Sequence, residues 1–291
     1  MDNKRFETYD MNKKDSFGIV FLYKFLPGRL LLQLLIRPAN SKIVGRIMDS
    51  GFTKLFIPRF IKNHNIDLSD YKDVKYKSFN DFFVREVKDG TRPVSFEPHD
   101  VIAPCDGKLT AYRITQDSIF EIKNSVYDLK TILKDKKLAD DFIDGLCLIF
   151  RLMPNDYHRY CFIDNGEVIS RKKIRGVLHT VRPIALRKHR IYKKNAREYA
   201  VLKTENFDTI VQMEVGALFV GRIKNDLSIK SFKRGDEKGM FEFGGSTIVM
   251  LFKQDAVKIE EVIFANTEIN VETVVKMGTV IGCSGNRPAA P

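Results

Sequence analysis

The strongest constraint in this sequence is a glycine pair that stands directly before two hydroxyl residues and an apolar run, within the segment from Phe241 to Phe252. Ile, Val and Phe favour the packed surface of a sheet, so the residues that follow Ser246 predict a buried strand. Gly244 and Gly245 permit a tight turn that residues with a Cβ resist. Ser246 is therefore predicted at a turn-to-strand junction, although an isolated Gly-Gly-Ser-Thr is most often an ordinary turn.

Composition places the chain among globular proteins with an anionic partner. It has 291 residues, 44% of them hydrophobic, which suffices for one large domain or two small ones. The formal net charge of +12 indicates a nucleic acid, a lipid surface or a phosphorylated substrate. The four cysteines form no C-x-x-C pair, so we expect neither a metal site nor a disulfide framework, and a reducing cytosol fits best.

The first 63 residues combine apolar helices with positive charge. From Phe17 to Ile36 the chain is densely apolar, but Pro27, Gly28 and charged residues interrupt it, so two short interfacial helices are predicted. The segment from Ser41 to Lys62 has apolar residues at helical spacing. Residues 1–63 hold 12 Lys or Arg against 5 Asp or Glu, an excess of +7. Such helices suit an anionic bilayer surface, and the alternative is that they pack on the catalytic domain.

A phenylalanine-rich stretch from Tyr76 to Arg85 predicts a short capped helix. Ser78 has the place of the N-cap, with Asp81 at the third helical position. The phenylalanines expected in the core are Phe79, Phe82 and Phe83. Arg85, and Arg92 beyond the helix, have the chemistry to orient a phosphate or a carboxylate.

Further segments predict strands beside candidate catalytic groups. The segment from Val101 to Thr110 is expected to form a β-hairpin with Asp106 at its turn. The apolar run from Leu146 to Met153 predicts a strand that leads to His158. His179 is expected on another strand.

These motifs, in this order along the chain, resemble those of the phosphatidylserine decarboxylases. The resemblance is carried by Phe-Asn-Asp-Phe-Phe-Val-Arg at 79–85, Pro-Cys-Asp-Gly at 104–107, Asp-Tyr-His-Arg at 156–159 and the stretch at 235–247. It covers roughly residues 40 to 285, and Gly244 stands where most members have Leu or Val. With the short strands and Gly-rich turns, the expected fold is α+β, with amphipathic N-terminal helices followed by a mainly antiparallel β catalytic domain.

The resemblance implies an enzyme that decarboxylates phosphatidylserine to phosphatidylethanolamine. Its cofactor would be a pyruvoyl group made from Ser246, whose hydroxyl attacks the carbonyl of Gly245, so that an ester forms and elimination cuts the chain. The ketone would form a Schiff base with the serine headgroup and accept electrons when carbon dioxide departs. The implied catalytic residues are Asp106, His158 and Ser246, with Asp106 in the charge relay of self-cleavage and His158 as proton donor to the product.

One position departs from the pattern of the family. Many members have a second histidine three residues after His158, and here Cys161 occupies that place. His158 alone, or His179 with it, could then serve as the relay base. Imidazole titrates near neutrality whereas an ordinary thiol stays protonated, which favours histidine over Cys161.

The predicted organisation follows from the cleavage. Residues 1–75 are expected to form a helical membrane-associating region and residues 76–291 the catalytic domain, cut into a beta chain, 1–245, and an alpha chain, 246–291. We expect the two chains to stay associated, with a homodimer as a possible assembly. The protein is expected to bind an anionic membrane peripherally, on the cytoplasmic side of the cell membrane, and no cleavable signal peptide is expected because the first sixteen residues are mostly polar.

Three other functions compete with this one. Nucleic-acid binding is not expected, because no zinc-finger spacing, RNP-type motif or clear helix-turn-helix accompanies the charge. A serine hydrolase would use the same three residue types, although the sequence has no G-x-S-x-G elbow. A catalytically silent, membrane-bound lipid-recognition protein would also explain the basic helices. Only the decarboxylase should split itself between Gly245 and Ser246.

Overall fold

A computed structural model describes residues 5–10, 17–122, 125–181, 191–218, 222–243 and 246–286. The helices are α1 (Phe17–Lys24), α2 (Leu26–Leu35), α3 (Pro38–Met48), α4 (Ile57–His64), α5 (Phe79–Phe83), α6 (Leu129–Leu133), α7 (Lys136–Asp140), α8 (Ile191–Lys194) and α9 (Glu261–Glu268), with a 3-10 helix at Gly51–Phe56. The strands are β1 (Thr8–Asp10), β2 (Asp100–Ile102), β3 (Gly107–Arg113), β4 (Ile119–Ile122), β5 (Ser125–Asp128), β6 (Leu146–Arg151), β7 (Arg159–Cys161), β8 (Gly166–Ile174), β9 (Arg197–Thr204), β10 (Thr209–Val215), β11 (Ile223–Asn225), β12 (Ser231–Phe232), β13 (Glu237–Phe241), β14 (Thr247–Phe252), β15 (Val257–Ile259), β16 (Val271–Val275) and β17 (Val280–Ser284).

An antiparallel sheet forms the centre of the fold. Its nine described strands have the order β1-β16-β3-β6-β14-β10-β9-β8-β12. The central strands β6 and β14 are buried along their whole length, as their apolar sequences predict. Smaller antiparallel sheets have the orders β11-β13-β7, β15-β17-β2 and β4-β5. The expected α+β class is confirmed.

The N-terminal helices follow the prediction in part. The break in the apolar stretch is real, because α1 and α2 are separate helices bent by 96° with Pro27 in the first turn of α2. In the described residues, no single helix is long and apolar enough to span a membrane, whereas the bent pair α1 and α2 would pass by length and composition. The segment from Ser41 to Lys62 is not one helix. It divides into α3, the 3-10 helix and α4. Pro58 lies in the first turn of α4, where a missing N–H removes no helical hydrogen bond.

The N-terminal region also contributes to the sheet. Strand β1 pairs with β16, with Thr8 opposite Thr273 and Asp10 opposite Val271. Residues 8–10 therefore lie at the edge of the catalytic sheet and are not helical, although they fall within the predicted helical region 1–75. The boundary at residue 75 remains a prediction.

The capped helix is confirmed as α5. Ser78 Oγ accepts a hydrogen bond from the backbone N–H of Asp81 at 3.2 Å, and Asp81 Oδ2 accepts one from the N–H of Lys77 at 2.7 Å. Phe79, Phe82 and Phe83 are all buried, as expected for the apolar face of this short helix.

Two other local predictions are wrong. Strands β2 and β3 do not form a hairpin, because β2 pairs with β17 whereas β3 lies between β16 and β6. Asp106 binds groups distant in sequence instead of closing a turn, and Gly107 allows β3 to approach β6, since a Cβ on it would lie 3.1 Å from the carbonyl oxygen of Arg151. His179 lies in an irregular segment, not on a strand, where its backbone is bound by the side chain of Asn195.

Candidate active site

The candidate catalytic residues lie at one end of the central strands. In the register of the sheet, Arg151 at the end of β6 is opposite both Lys108 of β3 and Thr247 of β14. Because neighbouring antiparallel strands run in opposite directions, β3 and β14 begin where β6 ends. Asp106 directly precedes β3 and Ser246 directly precedes β14. Both residues therefore lie at the end of the central strands where the chain leaves β6 toward His158.

Ser246 is a buried residue with an unused hydroxyl. Its carbonyl oxygen accepts a hydrogen bond from the N–H of Leu152 at 2.9 Å, which extends the pairing of β14 with β6 by one residue. Ser246 Oγ and the neighbouring Thr247 Oγ1 are buried, and neither has a hydrogen-bond partner in the described part of the chain. Gly244 and Gly245, the other half of the predicted cleavage site, lie outside the described residues.

His158 is buried in a neutral state. Its ring packs against that of Phe83, with centroids 4.1 Å apart, and its Nε2 is 3.1 Å from the carbonyl oxygen of Met153. A carbonyl only accepts, so Nε2 carries the hydrogen and Nδ1 presents a lone pair. Nδ1 is buried and has no partner among the residues described. Burial, with the positive charge of Arg85 in addition, lowers the pKa of His158 to about 3, so the ring starts as a proton acceptor.

The loop that carries His158 is shaped by Asp156, which sequence reasoning did not single out. Asp156 Oδ2 accepts a hydrogen bond from the N–H of Met153 at 2.7 Å, and its Oδ1 lies 3.3 Å from Lys108 Nζ. Burial raises the pKa of Asp156, although the charge of Lys108 and the hydrogen bond from Met153 oppose the rise. The signal was present in the sequence, because Asp156 opens the Asp-Tyr-His-Arg motif. Asp156 holds the turn whose Met153 carbonyl orients the imidazole.

Asp106 does not contact His158, contrary to the expected relay. Its two carboxylate oxygens accept hydrogen bonds from Arg92 Nε at 2.9 Å and Nη2 at 2.8 Å, and Oδ1 also accepts one from the N–H of Met277 at 2.8 Å. Arg92 is further held by Asp70 at 2.9 Å. Asp106 is therefore bound to Arg92 and to the backbone after β16.

The two arginines expected to bind an anion differ in their availability. Arg92 is taken up by Asp106 and Asp70, and these carboxylates outweigh burial and raise its pKa. Arg85 Nη2 donates to the carbonyl oxygens of Asn155 and Asp156, at 3.0 and 3.3 Å. Its Nε and Nη1 are buried and have no hydrogen-bond partner in the described ranges, where no carboxylate pairs with this guanidinium. Arg85 is thus a buried cation with donors to spare, beside the loop of His158.

The alternative bases, Cys161 and His179, are both buried. Cys161 is buried, and burial raises the pKa of its thiol to about 12, so the thiol stays protonated at neutral pH. His179 is also buried, with Nδ1 3.2 Å from the hydroxyl of Tyr23 on α1, and its backbone N–H donates to Asn195 Oδ1 at 3.1 Å. These contacts connect His179 to the N-terminal helices. The roles of His158, Cys161 and His179 remain predictions.

The N-terminal helices expose an apolar face. The large apolar side chains exposed there are Phe17, Phe25, Leu26, Leu30, Leu31, Leu34, Ile43, Ile47, Phe52, Leu55 and Phe56. Other residues of the same helices, such as Tyr23 and Leu32, are buried against the core. One side of these helices therefore packs on the core, and a second apolar side is exposed. A helix that only packed on the core would need one apolar stripe, so the second apolar side needs another explanation.

Comparison with known proteins identifies the family. The sequence model of the family described as phosphatidylserine decarboxylase matches residues 79–283. The chain is 48% identical over 278 residues to phosphatidylserine decarboxylase proenzyme 2 of Clostridium acetobutylicum, with 95% of each chain covered. It is 39% identical over 287 residues to the phosphatidylserine decarboxylase proenzyme of Clostridium perfringens, covering 96% of this chain and 98% of the relative. The chain thus belongs to the phosphatidylserine decarboxylases, a family of decarboxylating enzymes.

Proposed function

We propose that this chain is a proenzyme that cleaves itself between Gly245 and Ser246 and then decarboxylates phosphatidylserine at an anionic membrane surface. The observation that carries the proposal is the buried hydroxyl of Ser246, which has no hydrogen-bond partner among the described residues and lies at the end of the central strands that also leads to His158. The curated relatives are named proenzymes, which supports a cleaved precursor. A buried hydroxyl without a partner is costly for a purely structural serine.

Self-cleavage needs only groups of this chain. Ser246 Oγ bonds to the carbonyl carbon of Gly245, the amide C–N bond breaks, and the freed nitrogen takes up the proton that the hydroxyl loses. His158, with its lone pair on Nδ1, is the proposed carrier of that proton. Loss of the Cα proton of residue 246 then expels Gly245 as a carboxylate. Water replaces the nitrogen of the resulting dehydroalanine as ammonia, which leaves a pyruvoyl group at the start of the alpha chain.

The sheet explains why the two chains would stay together after cleavage. The alpha chain, 246–291, begins with β14, which pairs with β6 on one side and β10 on the other. It also supplies β16, which lies between β1 and β3. Because both partners of each strand come from the beta chain, the chains share one sheet and one core, and separation would expose buried strands.

A pyruvoyl group at residue 246 supplies a ketone that captures the substrate amine and accepts electrons when carbon dioxide leaves. The residues of the chain then bind the headgroup and move protons. The pKa of His158 is low because of burial and the charge of Arg85. An anionic substrate offsets that charge and raises the pKa, so we propose that the same imidazole donates a proton to the product carbon.

We propose that Arg85 binds the phosphodiester of the headgroup. Both anionic groups of phosphatidylserine match a guanidinium, but a cation paired with the carboxylate would stabilise the group that must lose its charge as carbon dioxide. Pairing with the phosphodiester orients the headgroup without that cost. The donors that support this role are Nε and Nη1 of Arg85, which have no hydrogen-bond partner within the described part of the chain.

Membrane attachment through the N-terminal helices completes the proposal. The exposed apolar residues of α2 and of the 3-10 helix would insert, while the excess of +7 in residues 1–63 would bind anionic headgroups. Such an arrangement presents a lipid substrate to the enzyme from the cytoplasmic face of the cell membrane. The protein would then be peripheral, without a spanning helix.

Intact-mass measurement tests the cleavage directly. Purified protein should contain a fragment ending at Gly245 and a 46-residue fragment, 246–291, whose N-terminus lacks an amine. Ser246→Ala should remain one chain. Cys161→Ala should cleave, because its thiol is protonated, whereas His158→Ala should not. An active wild type that stays uncut, or a small fragment with an ordinary serine amine, would refute the mechanism.

A further inference from the structure

One buried side chain joins helix α3 to the backbone just before the cleavage site. Asn80, on α5, accepts a hydrogen bond at Oδ1 from the N–H of Phe243 at 3.2 Å. Its Nδ2 donates to Asp49 Oδ1 at 2.7 Å and to the carbonyl oxygen of Gly45 at 3.2 Å. These partners fix the orientation of the amide, since the N–H of Phe243 only donates and the carboxylate of Asp49 only accepts. Phe243 lies three residues before Ser246.

A second connection runs in parallel through Arg222. This guanidinium donates to Asp49 Oδ2 at 2.7 Å and pairs with Glu242 Oε2 at 2.9 Å. The N–H of Glu242 also donates to the carbonyl oxygen of Arg222 at 3.1 Å. Burial alone would raise the pKa of Asp49, but the hydrogen bonds from Asn80 and Arg222 lower it overall. Asp49 is therefore an ionised anchor shared by both connections.

The side chain of Phe243 is held as firmly as its backbone. Its ring meets those of Phe79 and Phe83 edge-on, with centroid distances of 5.0 and 5.5 Å. Phe83 in turn packs against the ring of His158. The residue that enters the cleavage site is thus fixed relative to both α5 and the proposed base.

We propose that Asn80 and Asp49 are positioning residues for self-cleavage. They hold the backbone at Phe243 so that the carbonyl of Gly245 is presented to Ser246. The inference rests on the proposed self-cleavage. Attack within a chain depends steeply on the approach of hydroxyl and carbonyl, so a small displacement of the entering strand slows it. An otherwise folded chain with a loosened anchor should therefore mature slowly.

The chain permits a test by exchange of the two side chains. Asn80→Asp keeps the acceptor for Phe243 but loses the amide donors and places a carboxylate against Asp49. We expect its cleavage half-time, followed on gels from freshly synthesised full-length chain, to lengthen about tenfold or more. Adding Asp49→Asn restores a donor toward residue 80 and keeps an oxygen for Arg222. The double variant should cleave within about threefold of the wild type, with additivity as the reference.

Two further variants separate positioning from stability. Thr53→Val is the matched control, because Thr53 Oγ1 accepts from the N–H of Phe79 at 3.0 Å in the same junction but does not contact Phe243. It should lower Tm without slowing cleavage. Asp49→Ala removes the anchor at a side chain that is 44% exposed, so this variant should still fold. Its self-cleavage should be slower than that of the wild type.

The outcomes are distinct. The positioning role is refuted if Asn80→Asp or Asp49→Ala cleaves as fast as the wild type, or if the exchange fails to restore the rate. It is also refuted if Thr53→Val slows cleavage as much as an Asn80 or Asp49 variant with the same Tm. A wild type that never cleaves would refute the proposed function, and this inference with it. If the wild type cleaves and Asn80→Asp and Asp49→Ala cleave at the same rate, only the positioning role is refuted.

Discussion

Arg92 donates two hydrogen bonds to the carboxylate of Asp106, from Nε at 2.9 Å and from Nη2 at 2.8 Å. Both side chains are buried, so each neutralises a charge that would otherwise be stranded. This ion pair leaves two possible roles for Asp106. Either the carboxylate acts while it stays bound to Arg92, or it must leave Arg92 to reach an imidazole.

Replacing Arg92 by Leu distinguishes these roles. If Asp106 acts while bound to Arg92, then Arg92→Leu and Asp106→Asn should both slow self-cleavage. Arg92→Leu should cost about 3–5 kcal/mol of unfolding free energy, because it leaves the buried carboxylate of Asp106 without its cation. Asp106→Asn should cost less, because Arg92 keeps its ion pair with Asp70. Gel assays of cleavage and urea titrations measure the two effects. Cleavage by Arg92→Leu at or above the wild-type rate, with Asp106→Asn inactive, would instead support direct action of Asp106 on the base.

The depressed pKa of His158, about 3, predicts a pH-dependent stability. The unfolded chain protonates this histidine near pH 6.5 whereas the folded chain does not, so the folded state loses stability as the pH falls below about 6.5 and toward 3. Between pH 7.5 and 5.5 the loss should be about 1.4 kcal/mol.

Urea unfolding of Ser246→Ala and of Ser246→Ala with His158→Gln, at both pH values, measures this contribution on uncut chains. The difference between the variants isolates His158 from Asp156, whose raised pKa has the opposite effect as the pH falls. Equal pH dependence in the two variants would mean that His158 is not buried in its neutral form.

Arg85 should determine the affinity for phosphorylated substrates. Arg85→Gln in cleaved enzyme should raise KM for glycerophosphoserine by about 10- to 100-fold, because a charge-assisted pair is lost, while KM for free serine, which has no phosphate, should change little. Steady-state kinetics on both compounds provides the comparison. Arg113→Gln is the matched control, since its guanidinium is largely exposed and lies 3.7 Å from Glu261. An equal loss on serine and on glycerophosphoserine would assign Arg85 to the carboxylate or to the fold.

Local sequence patterns predicted those elements that capping residues and hydrophobic periodicity determine. The cap at Ser78 and the buried strands β6 and β14 follow from propensity and periodicity, and both are confirmed. The supposed hairpin at Asp106 fails for the opposite reason. Its turn-like residues match a local signal, but the carboxylate is used by Arg92 and by Met277, which is 171 residues away.

Parts of the site were beyond sequence reasoning in the same way. The Phe-Asn-Asp-Phe-Phe motif drew attention to its cap and its rings, yet the contact of Asn80 with Phe243 spans 163 residues. No periodicity reports such a contact. The sequence identified the residue types of the site. Which arginine is paired with a carboxylate, and which has donors to spare among the described residues, depends on the arrangement of the sheets.

The exposed apolar face of the N-terminal helices predicts anion-dependent membrane binding. Leu30 and Leu34 lie one turn apart on α2 and are 59% and 52% exposed, so both can enter a bilayer surface without disturbing the core. Replacing both by Ser should weaken co-sedimentation with vesicles containing phosphatidylserine or phosphatidylglycerol at least about tenfold, because each buried leucine contributes about 1.5–3 kcal/mol. Salt should weaken binding of the wild type as well, through screening of the basic residues.

The matched control replaces Ile169 and Leu227, which are 58% and 67% exposed on the β part of the chain, by Ser. If this control loses as much binding as the variant in α2, or if neutral vesicles bind the wild type as well as anionic ones do, attachment does not occur through the N-terminal helices.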